Sequence, residues 1–165
     1  MHKLVPAGAG RPNRLYQQNH CGVYRSDDLG LNWYSIDTNG LPTETPSYVH
    51  SDRARAFGFP LVVHPQDPDT LYVVPVPEDT RTQKDVFAIW RSRDGGDSWK
   101  KLTRGLPKKN AYLGVLREGM CTDALGGIYC ATSTGQIFFS RNDGDTWETI
   151  AGGLPHTYSV ECAVI

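Results

Sequence analysis

Three stretches that are otherwise apolar carry the side chains that could do chemistry. They read "SDRARAFGFPLVV" (51–63), "YLGVLREGM" (112–120) and "YSVECAVI" (158–165). The candidate charged residues among them are Arg53, Arg55, Arg117, Glu118 and Glu161. A guanidinium can hold an anion, so the basic run with Arg53 and Arg55 could contact an acidic sugar, with a solvated loop as the alternative.

The neighbours Arg117 and Glu118 have two interpretations. A carboxylate in a ligand channel can take part in acid–base chemistry. Adjacent Arg and Glu side chains on an inner strand more often form an ion pair that lines such a channel. The sequence therefore offers these residues as candidates and does not assign them a catalytic role.

No residue pattern indicates a metal or cofactor site. The histidines are scattered and form neither HxH nor HExxH; they are His2, His20, His50, His64 and His156. No glycine-rich phosphate loop follows a strand and opens a helix. The cysteines form no CxxC and are expected to be reduced thiols; they are Cys21, Cys121, Cys130 and Cys162. We predict no metal and no cofactor.

Composition and charge point to no partner. The 165 residues are 39% hydrophobic and 21% charged, which is ordinary for a globular chain. The formal net charge is −1, so no long-range field favours nucleic acid or an anionic membrane. No apolar run has the length of a membrane span or a signal segment. We expect a cytoplasmic protein that binds neither nucleic acid nor a membrane.

One eight-residue run occurs three times and defines the organisation of the chain. It reads "SDDLGLNW" from Ser26, "SRDGGDSW" from Ser92 and "SRNDGDTW" from Ser140. A β-type segment precedes each copy, and a segment that begins with the Trp and ends in Gly-Leu-Pro follows it. Two strands joined by a turn rich in Asp and Gly indicate a β-hairpin.

The fixed positions of the run have structural roles. Asp or Asn can accept hydrogen bonds from turn amides, Gly can adopt positive φ, and Trp can bury a large surface between neighbouring sheets. These positions are Ser26, Asp28, Gly30 and Trp33, then Ser92, Asp94, Gly96 and Trp99, then Ser140, Asn142, Gly144 and Trp147. The turns lack the Glu and the ligand number that Ca²⁺ prefers. They are predicted to stabilise hairpins.

Each hairpin has room for two more strands upstream, which predicts an all-β fold of four-stranded antiparallel blades. Repeated four-stranded sheets form β-propellers, with blades of roughly 40–50 residues. The predicted units are 14–42, 56–107 and 113–155 within a single domain, 1–165. Three blades are half of a six-bladed ring or a fragment of a larger propeller.

Counting strands predicts a homodimer. The first unit begins at "RLYQQNH" (14–20), and the Gly- and Pro-rich residues before it offer no convincing first strand. Residues 158–165 read as an inner strand with no blade after it. If this strand pairs with Tyr16–His20 of a second copy, and the exchange is mutual, two chains close a six-bladed ring. The alternative is that the chain is a fragment of a longer propeller.

The pattern Ser-x-Asp-x-Gly-x-Ser/Thr-Trp resembles the Asp-box, or bacterial neuraminidase repeat. The second copy fits at every fixed position, while the first departs at Asn32 and the third at Asn142. "HPQDPDTLYVVP", "IWRSRDGGDSWKKLTRGLP" and "GQIFFSRNDGDTW" are similar to a sialidase-like, glycosyl-hydrolase-like subgroup of bacterial proteins. The resemblance covers nearly the whole chain from Arg14 and implies a partial or shortened relative.

The resemblance implies two classes of function. Sialidases of this fold use an Arg cluster for the substrate carboxylate, a Tyr nucleophile partnered by Glu, and an acid/base Asp. Residues that could supply such groups are Arg117, Glu118, Glu161 and Tyr112, but the early Arg motif is absent. The expected function is a non-catalytic Asp-box propeller that binds a glycan or a protein. The alternative is an exo-acting, sialidase-like glycoside hydrolase with its site at the central channel.

Overall fold

The computed structural model describes residues 1–43, 55–77 and 79–163, and in these residues the chain forms strands and no helix. The strands are β1 (Lys3–Pro6), β2 (Leu15–Asn19), β3 (Gly22–Ser26), β4 (Tyr34–Ser35), β5 (Gly58–His64), β6 (Asp67–Pro75), β7 (Ile89–Ser92), β8 (Lys100–Leu102), β9 (Met120–Thr122), β10 (Ile128–Ala131), β11 (Ile137–Ser140) and β12 (Glu148–Ala151). None of the described segments is a helix able to cross a membrane.

The strands form three four-stranded antiparallel sheets, which confirms the predicted fold class. Sheet 1 has the order β1-β2-β3-β4, sheet 2 the order β5-β6-β7-β8, and sheet 3 the order β9-β10-β11-β12. Each sheet is a simple meander in which successive strands are neighbours. The predicted units 56–107 and 113–155 contain the strands of sheets 2 and 3.

The prediction that the first unit starts at residue 14 and lacks its inner strand is wrong. Strand β1 pairs with β2 in a register that joins Lys3 to Gln18 and Pro6 to Leu15. Residues 7–14 form a compact turn in which the amide of Ala7 donates to the carbonyl of Arg14 at 3.0 Å. The Gly and Pro residues belong to this turn, so they do not prevent a strand before it.

Strand β1 affects the predicted strand exchange between two copies of the chain. The edge of β2 at Tyr16–His20, which a second copy was expected to use, is occupied by β1 of the same chain. The C-terminal segment forms a parallel bridge between Ser159 and Glu118, and the amide of Val160 donates to the carbonyl of Glu118 at 2.8 Å. Self-association remains a prediction from the sequence, but its proposed pairing site is filled.

The three repeated runs form turns between the third and fourth strands of each sheet: turn 1 (Ser26–Trp33), turn 2 (Ser92–Trp99) and turn 3 (Ser140–Trp147). In turn 2 the Ser92 hydroxyl accepts a hydrogen bond from the amide of Gly96 at 2.8 Å, and the carboxylate of Asp94 accepts one from the amide of Ser98 at 2.9 Å. Turns 1 and 3 contain the equivalent bonds. Side chains thus satisfy amides that the tight turn leaves without backbone partners.

These bonds also affect ionisation. Partial burial disfavours the charged form of Asp94, but hydrogen bonds from Ser98 and Ser92 outweigh it and lower the pKa of the carboxyl below its ordinary value. Asn142 stands at the same position in turn 3 and accepts from the amide of Thr146 at 3.0 Å without a charge. Asn in place of Asp therefore keeps the oxygen that accepts the amide hydrogen bond and removes the titrating carboxyl group.

Neighbouring sheets are joined by side chains of the repeat. The indole N–H of Trp99 in turn 2 donates to the carbonyl of Ile36 in sheet 1 at 2.7 Å. Arg25 of β3 reaches turn 2 and donates to the carbonyl of Gly95 at 2.7 Å. These contacts hold the two sheets side by side, with the partly buried Trp99 between them.

The core lies between the sheets in two layers. One layer, between sheets 1 and 2, includes Tyr16, Val23, Leu61 and Leu71, which have no exposed surface. The other, between sheets 2 and 3, includes Phe87 and Ile128 among others. Burial of apolar side chains at roughly 25 cal/mol per Å² therefore holds each sheet against the next, and the edge strands β1, β5 and β9 come together.

Candidate functional site

The starting ends of β1, β5 and β9 meet at one place, because β5 lies between the other two strands. Just before β1, the Nδ1 atom of His2 lies 2.8 Å from the carbonyl oxygen of Gly58, the first residue of β5. Lys3 of β1 forms an ion pair with Glu118, just before β9. We call this cluster the inner-strand site; its members are His2, Lys3, His20, Phe57, Phe59, Arg81, Arg117 and Glu118.

Aromatic rings form the base of the inner-strand site. The ring of Phe59 is buried, and its centroid lies 5.2 Å from that of Phe57 and 4.9 Å from that of His2. His20 contacts His2 at a centroid distance of 4.4 Å. Edge and tilted contacts of this kind stabilise aromatic clusters, so the base is rigid.

Two arginines lie over this base. The Cζ atom of Arg117 is 5.4 Å from the centroid of Phe59, and that of Arg81 is 6.0 Å away. Both residues are exposed, and within the described residues neither guanidinium donates a hydrogen bond or forms an ion pair. Both side chains are therefore open to solvent, while the ring beneath favours the positive charge.

The loop that carries Arg81 is anchored by a buried glutamine. The Gln83 side chain donates to the carbonyl of Pro75 at 2.8 Å and accepts from the amide of Ala88 at 2.7 Å. Its backbone amide donates to the carbonyl of Leu113 at 2.8 Å, which ties the loop of sheet 2 to the segment before β9. This anchoring brings Arg81 and Arg117 to the same ring.

His2 contributes a neutral ring to the site. Burial lowers the pKa of His2, the hydrogen bond to Gly58 raises it, and nearby His20 and Arg117 lower it again, with a net lowering. The ring is therefore uncharged at neutral pH, with the proton on Nδ1 directed at the Gly58 carbonyl. The positive charge of the site comes from Lys3, Arg81 and Arg117.

Glu118 is held in the ion pair that the sequence offered as one alternative, but with a different partner. Its carboxylate pairs with Lys3 of β1, while Arg117 lies over Phe59 instead. The side chain of Glu118 remains 59% exposed. The structure therefore holds this carboxylate in an exposed ion pair with Lys3.

The other two catalytic candidates, Tyr112 and Glu161, contact different residues from those that Glu118 contacts. Tyr112 is 59% exposed, and its amide donates to the carbonyl of Lys84. Glu161 is exposed near Tyr129 and Cys162 at the C-terminal segment. In the part of the chain that the structure describes, no hydrogen bond or ion pair joins any two of Tyr112, Glu118 and Glu161.

The three arginines predicted to bind a ligand do not lie at one site. Arg53 lies outside the described residues, and Arg117 belongs to the inner-strand site. Arg55 lines a separate cavity of about 190 Å³ with Phe57 and Trp90, and its buried Nη1 atom has no hydrogen-bond partner in the described part of the chain. Phe57 is shared by the cavity and the inner-strand site, so the two adjoin.

Sequence reasoning missed Arg81, Phe59 and Lys3. The loop around Arg81 has only a polar composition, and Lys3 belongs to the strand that was not predicted. Phe59 stands in a run of apolar residues where any ring is expected to be core. For the described ranges, no group of three His, Cys, Asp or Glu side chains could hold a metal ion.

Comparisons with known proteins identify the fold. No family model matches the chain, and no curated protein matches it in sequence. Among solved structures, an ancestral GH74 enzyme is 15% identical with a TM-score of 0.64 over 92% of this chain. The GH74 xyloglucanase from Xanthomonas campestris is 19% identical with a TM-score of 0.58 over 87% of this chain. The GH74 enzyme from Niastella koreensis is 19% identical with a TM-score of 0.58 over 93%.

The fold is a β-propeller fold. The three four-stranded sheets are therefore propeller blades, and β1, β5 and β9 are their edge strands on the inner side. The chain spans only 18%, 20% and 22% of the lengths of these three proteins. At such identities the similarity establishes the fold alone, so function has to come from the site.

Proposed function

We propose that the chain binds a carboxylate-bearing glycan at the inner-strand site and does not cleave it. The observation that carries this proposal is the pair of exposed guanidiniums, Arg81 and Arg117, over the ring of Phe59, with no hydrogen-bond or ion-pair partner among the described residues. Each guanidinium can form two parallel hydrogen bonds to a carboxylate. Glu118, next to Arg117 in the sequence, is already paired with Lys3 and competes little.

The choice of a glycan over an acidic protein follows the structural neighbours. One of them is a xyloglucanase, which acts on a polysaccharide. We also propose that turns 1 to 3 are Asp-boxes of the sialidase-like type, since each contains the expected Ser and Asp or Asn hydrogen bonds. These turns lie at the opposite end of the strands from the site, so they support the fold without touching a ligand.

Binding without cleavage is proposed because the catalytic groups are not assembled. A sialidase-like mechanism needs a Tyr nucleophile in contact with a Glu, and Tyr112 contacts neither Glu118 nor Glu161 by a hydrogen bond. The hydrolase alternative therefore depends on the structural neighbours alone.

A glycan array that contains sialic or uronic acid glycans and their neutral counterparts tests the proposal. The chain should bind acidic glycans only. The double variant Arg81→Gln/Arg117→Gln should weaken the affinity at least about tenfold, or about 1.4 kcal/mol. Arg141→Gln is a matched control, because Arg141 also lies 5.4 Å from an aromatic ring, that of Phe139 on sheet 3. Equal binding of neutral glycans, or an equal loss with Arg141→Gln, contradicts the proposal.

A turnover assay separates the two functions. Aryl-glycosides and the bound glycans are incubated with the chain, and released sugar is measured. We expect none. Release that disappears in Glu118→Gln or Glu161→Gln would establish the hydrolase alternative and place its chemistry at those carboxylates.

A further inference from the structure

Two cysteines stand opposite each other where the C-terminal segment runs beside β9. The parallel bridge joins Glu118 to Ser159, and the amide of Val160 donates to the carbonyl of Glu118. In a parallel pairing, equal steps along both segments reach facing residues whose side chains point to the same side. Three steps from Glu118 and Ser159 lead to Cys121 and Cys162.

The side-chain positions agree with this register. The Sγ atoms of Cys121 and Cys162 lie 2.6 Å apart, and both residues are partly buried. Neighbouring strands are about 4.8 Å apart, which is within the range of Cα separations that a disulfide spans. The other two cysteines differ: Cys21 is exposed in sheet 1, and Cys130 is fully buried in β10.

We propose that Cys121 and Cys162 form a disulfide that fastens the C-terminal segment to the inner strand of sheet 3. The oxidant is a small-molecule disulfide such as oxidised glutathione. The Cys162 thiolate attacks one of its sulfurs and releases one reduced thiol. The Cys121 sulfur then attacks Cys162, forms the protein disulfide and releases the second thiol. The two protons lost by the cysteines are taken up by the two released thiolates.

The order of the two steps follows from the surroundings. Burial and the neighbouring Cys162 raise the pKa of the Cys121 thiol well above its ordinary value, so it attacks poorly as the first nucleophile. Cys162 lies at the rim of an open groove with Glu161, Leu125 and Tyr129, where a small disulfide can reach it. Once the mixed disulfide forms, Cys121 is already in contact with the sulfur it has to attack.

The link determines how firmly the segment covers β9. Among described residues, the hydrogen bond from the Val160 amide to the Glu118 carbonyl and the contact between the two thiols hold Ser159–Cys162 to the sheet. Reduction leaves only these two contacts, so the segment can separate from β9. Because Glu118 belongs to the inner-strand site, the redox state of the pair also controls access to one edge of that site.

Peptide mapping tests the link directly. The intact chain is incubated with oxidised glutathione, free thiols are alkylated, and the digest is analysed by mass spectrometry without reduction. We expect a peptide with Cys121 linked to a peptide with Cys162, and no link from Cys21 or Cys130 to another cysteine of the chain. Four alkylated cysteines, a link to Cys21 or Cys130, or a link between the Cys162 residues of two chains overturns the proposal.

A thermal assay tests the consequence. Oxidation should raise the melting temperature by several degrees, and dithiothreitol should reverse the shift. The shift should vanish in Cys162→Ser and persist in the matched control Cys21→Ser. Cys162 is partly buried and lies outside the sheets, so the variant is expected to fold; an oxidation shift that persists in it contradicts the proposal.

Discussion

The glycine of each Gly-Leu-Pro segment offers a test of how one blade is held against the next. Gly105 and Gly153 both have positive φ, +86° and +72°. A Cβ at Gly105 would lie 1.9 Å from the carbonyl oxygen of Trp147 in the next blade. A Cβ at Gly153 would have no atom within 4 Å. The two positions therefore share the backbone strain and differ in the contact between blades.

The expected loss of stability follows from this difference. The left-handed backbone costs an alanine roughly 1–2 kcal/mol at either position. At Gly105 the backbone of Trp147 must also move by about 1 Å, which breaks the 2.9 Å hydrogen bond from the Trp147 amide to the Arg104 carbonyl. That bond is worth about 1 kcal/mol, and loosening a buried Trp costs about 2 kcal/mol more. Gly105→Ala should thus lose about 3 kcal/mol more than Gly153→Ala.

Urea unfolding followed by tryptophan fluorescence measures this difference. With a slope of about 2 kcal/mol per molar urea, the midpoint of Gly105→Ala should lie about 1.5 M below that of Gly153→Ala. Equal midpoints for the two variants would refute the reasoning, because they would show that the glycine is required only for its backbone angle.

Three further predictions concern hydrogen bonds, pH and assembly. Tyr16→Phe should lower the free energy of unfolding by about 1 kcal/mol, because the hydroxyl donates to a carbonyl of sheet 2 at 2.9 Å. Tyr72→Phe should cost less, because its buried hydroxyl makes no hydrogen bond of normal geometry among the described residues. Because folding lowers the pKa of Asp94, its carboxylate stabilises the fold above about pH 4, and this stabilisation is lost as the pH falls through the lowered pKa. Asp94→Asn should therefore reduce the change in the urea midpoint between about pH 2 and 5. If the chain self-associates through its C-terminal segment, light scattering should show a dimer that disappears when residues 158–165 are deleted, and a stable monomer of the intact chain contradicts this.

The turns could be predicted from sequence because their interactions are local. Ser92 and Asp94 accept hydrogen bonds from amides four residues further along, so residue types at fixed spacing contain the whole structure. Strand β1 could not be predicted in this way. The strand has only four residues and pairs with β2 across a turn. The Gly and Pro of that turn dominate the local composition and suggest a loop.

The inner-strand site lies further beyond local reasoning. Phe59 and Arg117 come together only because β5 and β9 are neighbours in space, and Arg81 joins them through the anchoring of its loop by Gln83. Sequence analysis selected Arg117 because the polar residues of the innermost strands were its candidates for ligand contact. It had no means to select a phenylalanine inside an apolar run or a lysine in an unrecognised strand.

The repeat keeps the bonds within each turn and varies those between blades. Arg25 and Arg91, each just before the Ser of its turn, donate to the carbonyls of Gly95 and Asp143 in the next blade. Phe139 occupies this position in sheet 3 and has no donor for such a carbonyl. The strand registers place the three turns at the opposite end of the sheets from the starts of β1, β5 and β9. The recurring motif therefore closes the outer hairpin of each blade, and the proposed binding site lies at the other end, among residues that do not recur.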